Sequence, residues 1–305
     1  MECGSADPPH LVLVALAHMS FWRRPQSTWV RRALFQVHLW AGILLGLYIV
    51  VVCASGSVIV FRNDCYDLFE RWTKAGPTPL QSQVISAGYL LMRWFGDLHG
   101  KFFLGASGMT ANAIGGFLTA ALCLTGLVIW WPGISKWRRG LTVRSGVGWK
   151  RLNFDLHSAV GFWTFTILFM WGVTGGYFVF PEPFRAVINY FTPINPPRAP
   201  QPSVNPATQP AGAVAPVPLG PLTRRPRRPL TLGGKILRGF SSAHYGNFGG
   251  WPVKVLYVLL GFVPVVLFGT ALIMWWNRVL SPLARRLRET REASLETHVT
   301  QRESV

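Results

Sequence analysis

Four runs of the sequence, about 36–60, 113–131, 157–180 and 253–276, contain no Asp, Glu, Lys or Arg apart from Lys254 at an edge. The hydrocarbon core of a bilayer is about 30 Å thick, and a helix needs roughly 20 apolar residues to cross it. Each run is long enough. Soluble core helices are shorter and alternate apolar with charged positions. The runs therefore predict an all-α integral membrane protein built as a four-helix transmembrane bundle.

The bundle is also a repeat. Setting His157 on His38 places Gly161 on Gly42, Thr174-Gly175 on Ser55-Gly56, and Val179-Phe180 on Val60-Phe61. Setting His244 on His99 places Thr270 on Thr125 and Trp275-Trp276 on Trp130-Trp131, so TALIMWW aligns with TGLVIWW. Two repeated helix pairs follow, and self-similarity of this kind marks the positions an architecture needs twice. Four of the seven histidines are among them.

The net charge of +18 is distributed for membrane sorting. Arg23, Arg24, Arg31 and Arg32 precede the first span; Lys136, Arg138, Arg139, Arg144, Lys150 and Arg151 fill the second connection with no acid among them; Arg278, Arg285, Arg286, Arg288 and Arg291 follow the last span. Short basic connections stay on the cytoplasmic side, which places both termini and the middle loop there and argues against a nucleic-acid partner. The cluster Arg224, Arg225, Arg227 and Arg228 lies in the long outer loop, where charge has little say in orientation.

The expected organisation is an N-terminal cytoplasmic extension over 1–27, a transmembrane domain over 28–278 with outer loops 62–112 and 181–252, and a cytoplasmic tail over 279–305. Residues 1–18 lack the basic start and cleavage site of a signal peptide, and MSFWRRPQ from Met19 reads as the more natural start. Residues 84–103 carry apolar side chains at helical spacing, predicting a short amphipathic outer helix at the membrane surface. Gly105 and Gly108 are expected to break it, folding His99 back to membrane depth. Gly246, Gly249, Gly250 and Pro252 do the same after His244. Pro181 and Pro183 are read as ending the third span, and residues 192–230 as a proline-rich extended connection. Cys3, Cys53, Cys65 and Cys123 form no disulfide framework, and no CxxCH is present.

Because successive spans run in opposite directions, His38 and His157 lie together at the cytoplasmic side, and His99 and His244 at the outer side. A histidine at a helix end is ordinarily a hydrogen-bonded interfacial residue, but the repeat supplies two facing pairs. Two neutral imidazoles on opposite sides of a flat site are axial ligands for haem iron, held between helices of a bundle. Zinc wants four ligands, and no Cys or carboxylate accompanies these histidines at that depth. Gly42 and Gly161, one turn beyond the inner histidines, either leave room for a porphyrin face or serve close helix packing. The Ser55-Gly56, Thr125-Gly126 and Thr174-Gly175 pairs read as packing positions. Arg31, Arg32, Lys150 and Arg151 inside, and Arg93, Lys101 and Arg238 outside, are candidate donors to haem propionates or plain interfacial anchors.

The segments LFQVHLWAGILLGLYIVVVCASGSVIVFRND, DLHGKFFLGASGMTANAIGGFLTAALCLTGLVIWWPG, WRRGL, WKRLNFDLHSAVGFWTF and TGGYFVFP resemble the PepSY-associated transmembrane family of bacterial inner-membrane proteins, over about 28–190 and more weakly 235–278. Some members are ferric-siderophore reductases with two b-type haems that pass electrons outward. The resemblance implies haem ligation at His38, His99, His157 and His244. Fuller members carry PepSY domains in the outer loops, whereas residues 62–98 are too few for one, so the resemblance does not supply a substrate site.

The leading expectation is a two-haem conduit in lipid: electrons enter at the His38/His157 haem from a cytoplasmic flavoprotein or quinol, and leave from the His99/His244 haem to an external acceptor such as a ferric chelate. The alternative is a haem-free membrane anchor or regulatory subunit of an envelope or transport complex. A secondary transporter is disfavoured, since ion pathways place ionisable groups inside spans and no carboxylate lies there.

Overall fold

A computed structural model describes residues 28–133, 136–194 and 230–303. The expected 1–27 extension, the Met19 start and most of the proline-rich connection lie outside the described residues. Within them the chain is helical without strands. Helix α1 (Trp29–Ile59) opens seven residues earlier than its apolar run, because Arg31 and Arg32 extend it beyond the hydrocarbon. A bend at Val60-Phe61 leads directly into α2 (Arg62–Lys74), so the outer connection is folded rather than open. Helix α3 (Pro79–Lys101) begins with a capping box. Thr78 Oγ1 accepts from Gln81 N at 3.3 Å, and Gln81 Oε1 accepts from Thr78 N at 2.9 Å. Pro79 fills the first turn, where its missing N–H has no partner to lose.

The reversal after α3 differs from the expected glycine break. Phe102 and Phe103 take left-handed backbone conformations, φ 48 and 62°, followed by Gly105 at φ 61°. Left-handed backbone costs a residue with Cβ about 1–2 kcal/mol. Aromatic packing offsets it: Phe102 lies 5.8 Å from the Tyr48 ring and Phe103 5.3 Å from Trp94. Gly105 opens α4 (Gly105–Trp130), and Gly108 sits inside that helix, where a Cβ would run into the Lys101 carbonyl. Strained backbone immediately after His99 is the kind found at functional positions.

A short turn, α5 (Trp137–Gly140), precedes α6 (Trp149–Val179). The third span ends at Val179, as Pro181 leads one to expect, and Pro181 then opens a separate helix, α7 (Pro181–Phe191), at its first position. Helix α8 (Leu232–Tyr245) is capped by Thr231, whose Oγ1 accepts from Gly234 N at 3.2 Å, and ends at Gly246 with φ 66°. Helix α9 (Gly250–Trp275) runs through a π-helical turn, Trp276–Leu280, into α10 (Ser281–Glu303).

Among the described residues, α1, α4, α6 and α9 are long and apolar enough to cross a membrane. They pack as a square: α1 on α4, α4 on α6, α6 on α9, and α9 back on α1, leaving α1 opposite α6. The outer helices α3 and α8 lean on this frame, α3 against α1 and α4, α8 against α6. The interior is small and polar, with Ser55, Ser57, Thr119, Thr164, Thr174 and Thr270 buried, while Leu44 at 77 % and Trp163 at 67 % exposure point outward. This inverts the soluble arrangement and fits a lipid surround, in which close backbone approach drives helix association. At the α4/α6 crossing, a Cβ on Gly172 would stand 2.5 Å from Gly116 O. The protein is a multi-pass membrane protein whose outward faces contact lipid.

Candidate functional site

The square packing puts α1 and α6 at opposite corners, so His38 and His157 approach the middle of the bundle from two sides. Both line a cavity of about 550 Å³ at one end of the bundle, within the range of about 300–1,000 Å³ typical of ligand pockets. Gly42 and Gly161 line it as well. A Cβ added to Gly42 would meet nothing within 4 Å, and one on Gly161 only Leu267, at 3.8 Å. Gly42 therefore faces open space, and Gly161 has α9 only at ordinary contact distance.

At the other end, His99 on α3 and His244 on α8 face each other with ring centroids 6.2 Å apart and planes at 60°. His99 and His244 would be the residues to hold a metal ion placed between the two rings. Both residues lie outside the four spans. Burial and the adjacent His99 push His244 down to about 3, and burial lowers His99, so both imidazoles are neutral. Gly56 and Gly126 make room for rings: a Cβ on Gly56 would stand 2.9 Å from His99 Cε1, and one on Gly126 3.0 Å from His38 Cε1. The level of Gly56 is eighteen residues beyond His38, about 27 Å along α1 at 1.5 Å per residue, so the two pairs sit near opposite faces of the hydrocarbon layer.

All four histidines are held through Nδ1. His38 Nδ1 is 3.0 Å from Thr125 Oγ1, His157 Nδ1 2.8 Å from Thr270 Oγ1 and 3.1 Å from Leu267 O, and His244 Nδ1 2.8 Å from Thr174 Oγ1. His99 Nδ1 bonds Val52 O at 2.9 Å. Each copy of the repeat closes on itself, α1 and α3 with α4 and α1, α6 and α8 with α9 and α6. Nε2 of all four forms no protein hydrogen bond among the described residues, which is the arrangement a second shell imposes on a ligating imidazole.

The threonines that the sequence suggests for packing thus hold the rings. Two more residues in matched register support the outer pair: thirteen positions after His99 and His244 stand Asn112 and Tyr257. Asn112 Nδ2 donates to His99 O at 2.7 Å and the Tyr257 hydroxyl to Ala243 O at 2.5 Å, satisfying carbonyls at helix ends that lack intrahelical donors. That shared offset was readable in the sequence.

The cavity mouth is basic. Arg31, Lys136, Arg139, Arg144, Arg151 and Arg278 border it, with Asp155 the one acid in its lining. Asp155 is spoken for by Arg144 and Arg151, each at 2.9 Å. Arg31 Nη2 donates to Ile129 O at 2.6 Å, while its buried Nε has no acceptor among the described residues. Of the inner candidates, Arg31 and Arg151 reach the cavity, and Arg32 and Lys150 do not line it. On the outer side Lys101 pairs with Asp97 at 2.8 Å.

Among the described residues no three His, Cys, Asp or Glu side chains gather as a metal cage, so each place offers a metal two protein ligands. Two histidines lining one cavity, glycine beside open space, an orphaned guanidinium and a cationic mouth fit a flat, metal-centred macrocycle with acidic side chains at the inner place, which His38 and His157 would hold. No curated protein matches the chain. Residues 70–278 match the family described as PepSY-associated TM region, a stretch that includes His99, His157 and His244 and begins beyond His38. With more than half of its 305 residues matched, the chain belongs to the PepSY-associated transmembrane family.

Proposed function

We propose that the protein carries electrons across a bacterial inner membrane through two b-type haems, one held by His38 and His157 and the other by His99 and His244. The observation that carries this reading is the shared posture of the four histidines: each is fixed by Nδ1 and makes no hydrogen bond through Nε2 among the described residues, His99 faces His244, and His38 and His157 line one cavity. Haem bound in the two places would supply reversible one-electron chemistry at each face of the bilayer. The chain's own residues orient the ligands: Thr125, Thr174 and Thr270 and the Val52 and Leu267 carbonyls fix the rings. Arg31 and the basic rim suit the acidic side chains of a porphyrin in the inner place. With the basic connections on the cytoplasmic side, electrons enter at His38/His157 from a flavoprotein or quinol and leave from His99/His244 to an external acceptor, a ferric siderophore or other ferric chelate.

The test is reduced-minus-oxidised spectroscopy with haem quantification on purified protein from haem-sufficient cells. Two haems per chain are expected. His38→Ala and His157→Ala each remove the same one, and His99→Ala and His244→Ala each remove the other. A colourless wild-type preparation would instead support a haem-free anchor or regulatory subunit, and loss of one haem by His38→Ala together with His99→Ala would refute the pairing.

A further inference from the structure

The four ring contacts are not equivalent. A carbonyl oxygen only accepts, so the ring nitrogen bonded to one must carry the proton. Val52 O fixes Nδ1–H in His99, and Leu267 O does so in His157. His38 Nδ1 instead meets a hydroxyl, Thr125 Oγ1 at 3.0 Å, which itself lies 2.9 Å from Leu122 O. His244 has no such carbonyl among the described residues: its Nδ1 meets Thr174 Oγ1 alone, at 2.8 Å. A hydroxyl donates as readily as it accepts and by itself fits either tautomer. What decides is where its single proton goes. Thr174 Oγ1 lies 2.7 Å from Met170 O, four residues earlier on its own helix. With the proton committed there, the oxygen offers the imidazole a lone pair, and Nδ1 must donate.

We infer that Thr174 is the positioning residue that fixes His244 in the Nδ1–H tautomer and so leaves Nε2 as its ligating nitrogen. The inference about ligation rests on the two-haem reading; the tautomer does not. The repeat shows what is particular to this position. Its counterpart Ser55 turns its hydroxyl to Val51 O at 2.7 Å and Val52 O at 3.0 Å, and the Val52 carbonyl itself takes the His99 proton. The first copy thus uses backbone where the second uses a side chain. One histidine of the outer pair is therefore insensitive to substitution of its supporting side chain, and the other depends on it. Thr174 itself is 2 % exposed.

The experiment uses the full chain in detergent with ¹⁵N-labelled histidine, as Thr174→Val, Thr174→Ser and Thr270→Val. In haem-free wild type and Thr174→Ser, His244 is expected as the Nδ1–H tautomer. Thr174→Val, of equal volume without the hydroxyl, is expected to show mixed tautomers at His244. Thr270→Val is expected to leave His157 as Nδ1–H, because the Leu267 carbonyl remains, and so serves as the folding control. On titration with haem, Thr174→Val loses about 10–100-fold in affinity at the outer place alone, the usual effect of removing a second-shell partner, with an altered ferric signal in electron paramagnetic resonance, and Thr174→Ser restores both. An Nε2–H signal for His244 in wild type, or a Thr174→Val spectrum equal to wild type, overturns the inference. Wild-type tautomers as expected in a protein that takes up no haem would overturn the haem reading and leave the tautomer assignment standing.

Discussion

Gly56→Ala isolates the geometry of the outer pair from the stability of the bundle. The added Cβ would stand 2.9 Å from His99 Cε1 and 3.1 Å from Nδ1. Carbon atoms settle at about 3.5 Å or more, so the ring must recede about 0.6 Å. His99 Nδ1 now lies 2.9 Å from Val52 O, and that retreat takes the bond to about 3.5 Å, beyond useful hydrogen-bond length. A lost neutral hydrogen bond costs about 0.5–1.5 kcal/mol, and about 1.4 kcal/mol is tenfold in an equilibrium constant. Haem affinity at the outer place should therefore fall about tenfold at most, with the inner place unchanged. Helix propensity runs the other way, since Ala is favoured over Gly by about 1 kcal/mol in a helix interior, which offsets the lost bond, so the thermal midpoint of the haem-free protein should change little. Haem titration and thermal melts in detergent separate the two effects. Unchanged affinity at both places in Gly56→Ala would refute the argument that His99 is held on this surface for ligation, as would a loss confined to the inner place.

Three further substitutions probe the rest of the arrangement. Gly42→Ala meets no atom within 4 Å, so it should leave the melting of the haem-free protein unchanged while weakening haem uptake at the inner place; a fall in the haem-free midpoint would mean that Gly42 serves helix packing. Gly172→Ala drives a Cβ to within 2.5 Å of Gly116 O at the α4/α6 crossing, and overpacking of this kind costs about 1–3 kcal/mol, read as a lowered thermal midpoint. Asp155→Asn releases Arg144 and Arg151, both paired to it at 2.9 Å; charge-assisted hydrogen bonds with half-exposed arginines give a loss of about 1–2 kcal/mol, which should shrink in high salt, and a salt-independent loss would assign the effect to packing instead.

The histidine pairs were legible because duplication shows them twice: a residue present at the same offset in both copies is required by the architecture, and alternate helix direction then brings like with like. What holds the rings was not legible, because a threonine in a span normally bonds its own helix, and Thr125, Thr174 and Thr270 do that as well as meeting an imidazole. The cations of the middle connection follow the same logic. Their number reads as a sorting signal, and only the folded chain shows Arg139, Arg144 and Arg151 turned to the cavity. Local rules saw less of the outer side for a different reason. Pro181 marks the end of the third span but not the helix that it opens, and the left-handed turn at Phe102 and Phe103 is carried by Tyr48 and Trp94. The departures from the repeat are as informative as its matches. Where one copy has Thr174 and the other Ser55, or one Tyr257 and the other Asn112, matched positions make different hydrogen bonds: Thr174 meets the His244 ring and Ser55 only its own helix, Tyr257 meets Ala243 O and Asn112 His99 O. Two places built from one template but fastened differently need not have equal affinity for an electron, since hydrogen bonding to an axial imidazole changes its basicity. On the proposed two-haem reading, these are the positions at which the two places differ in how their histidines are fastened.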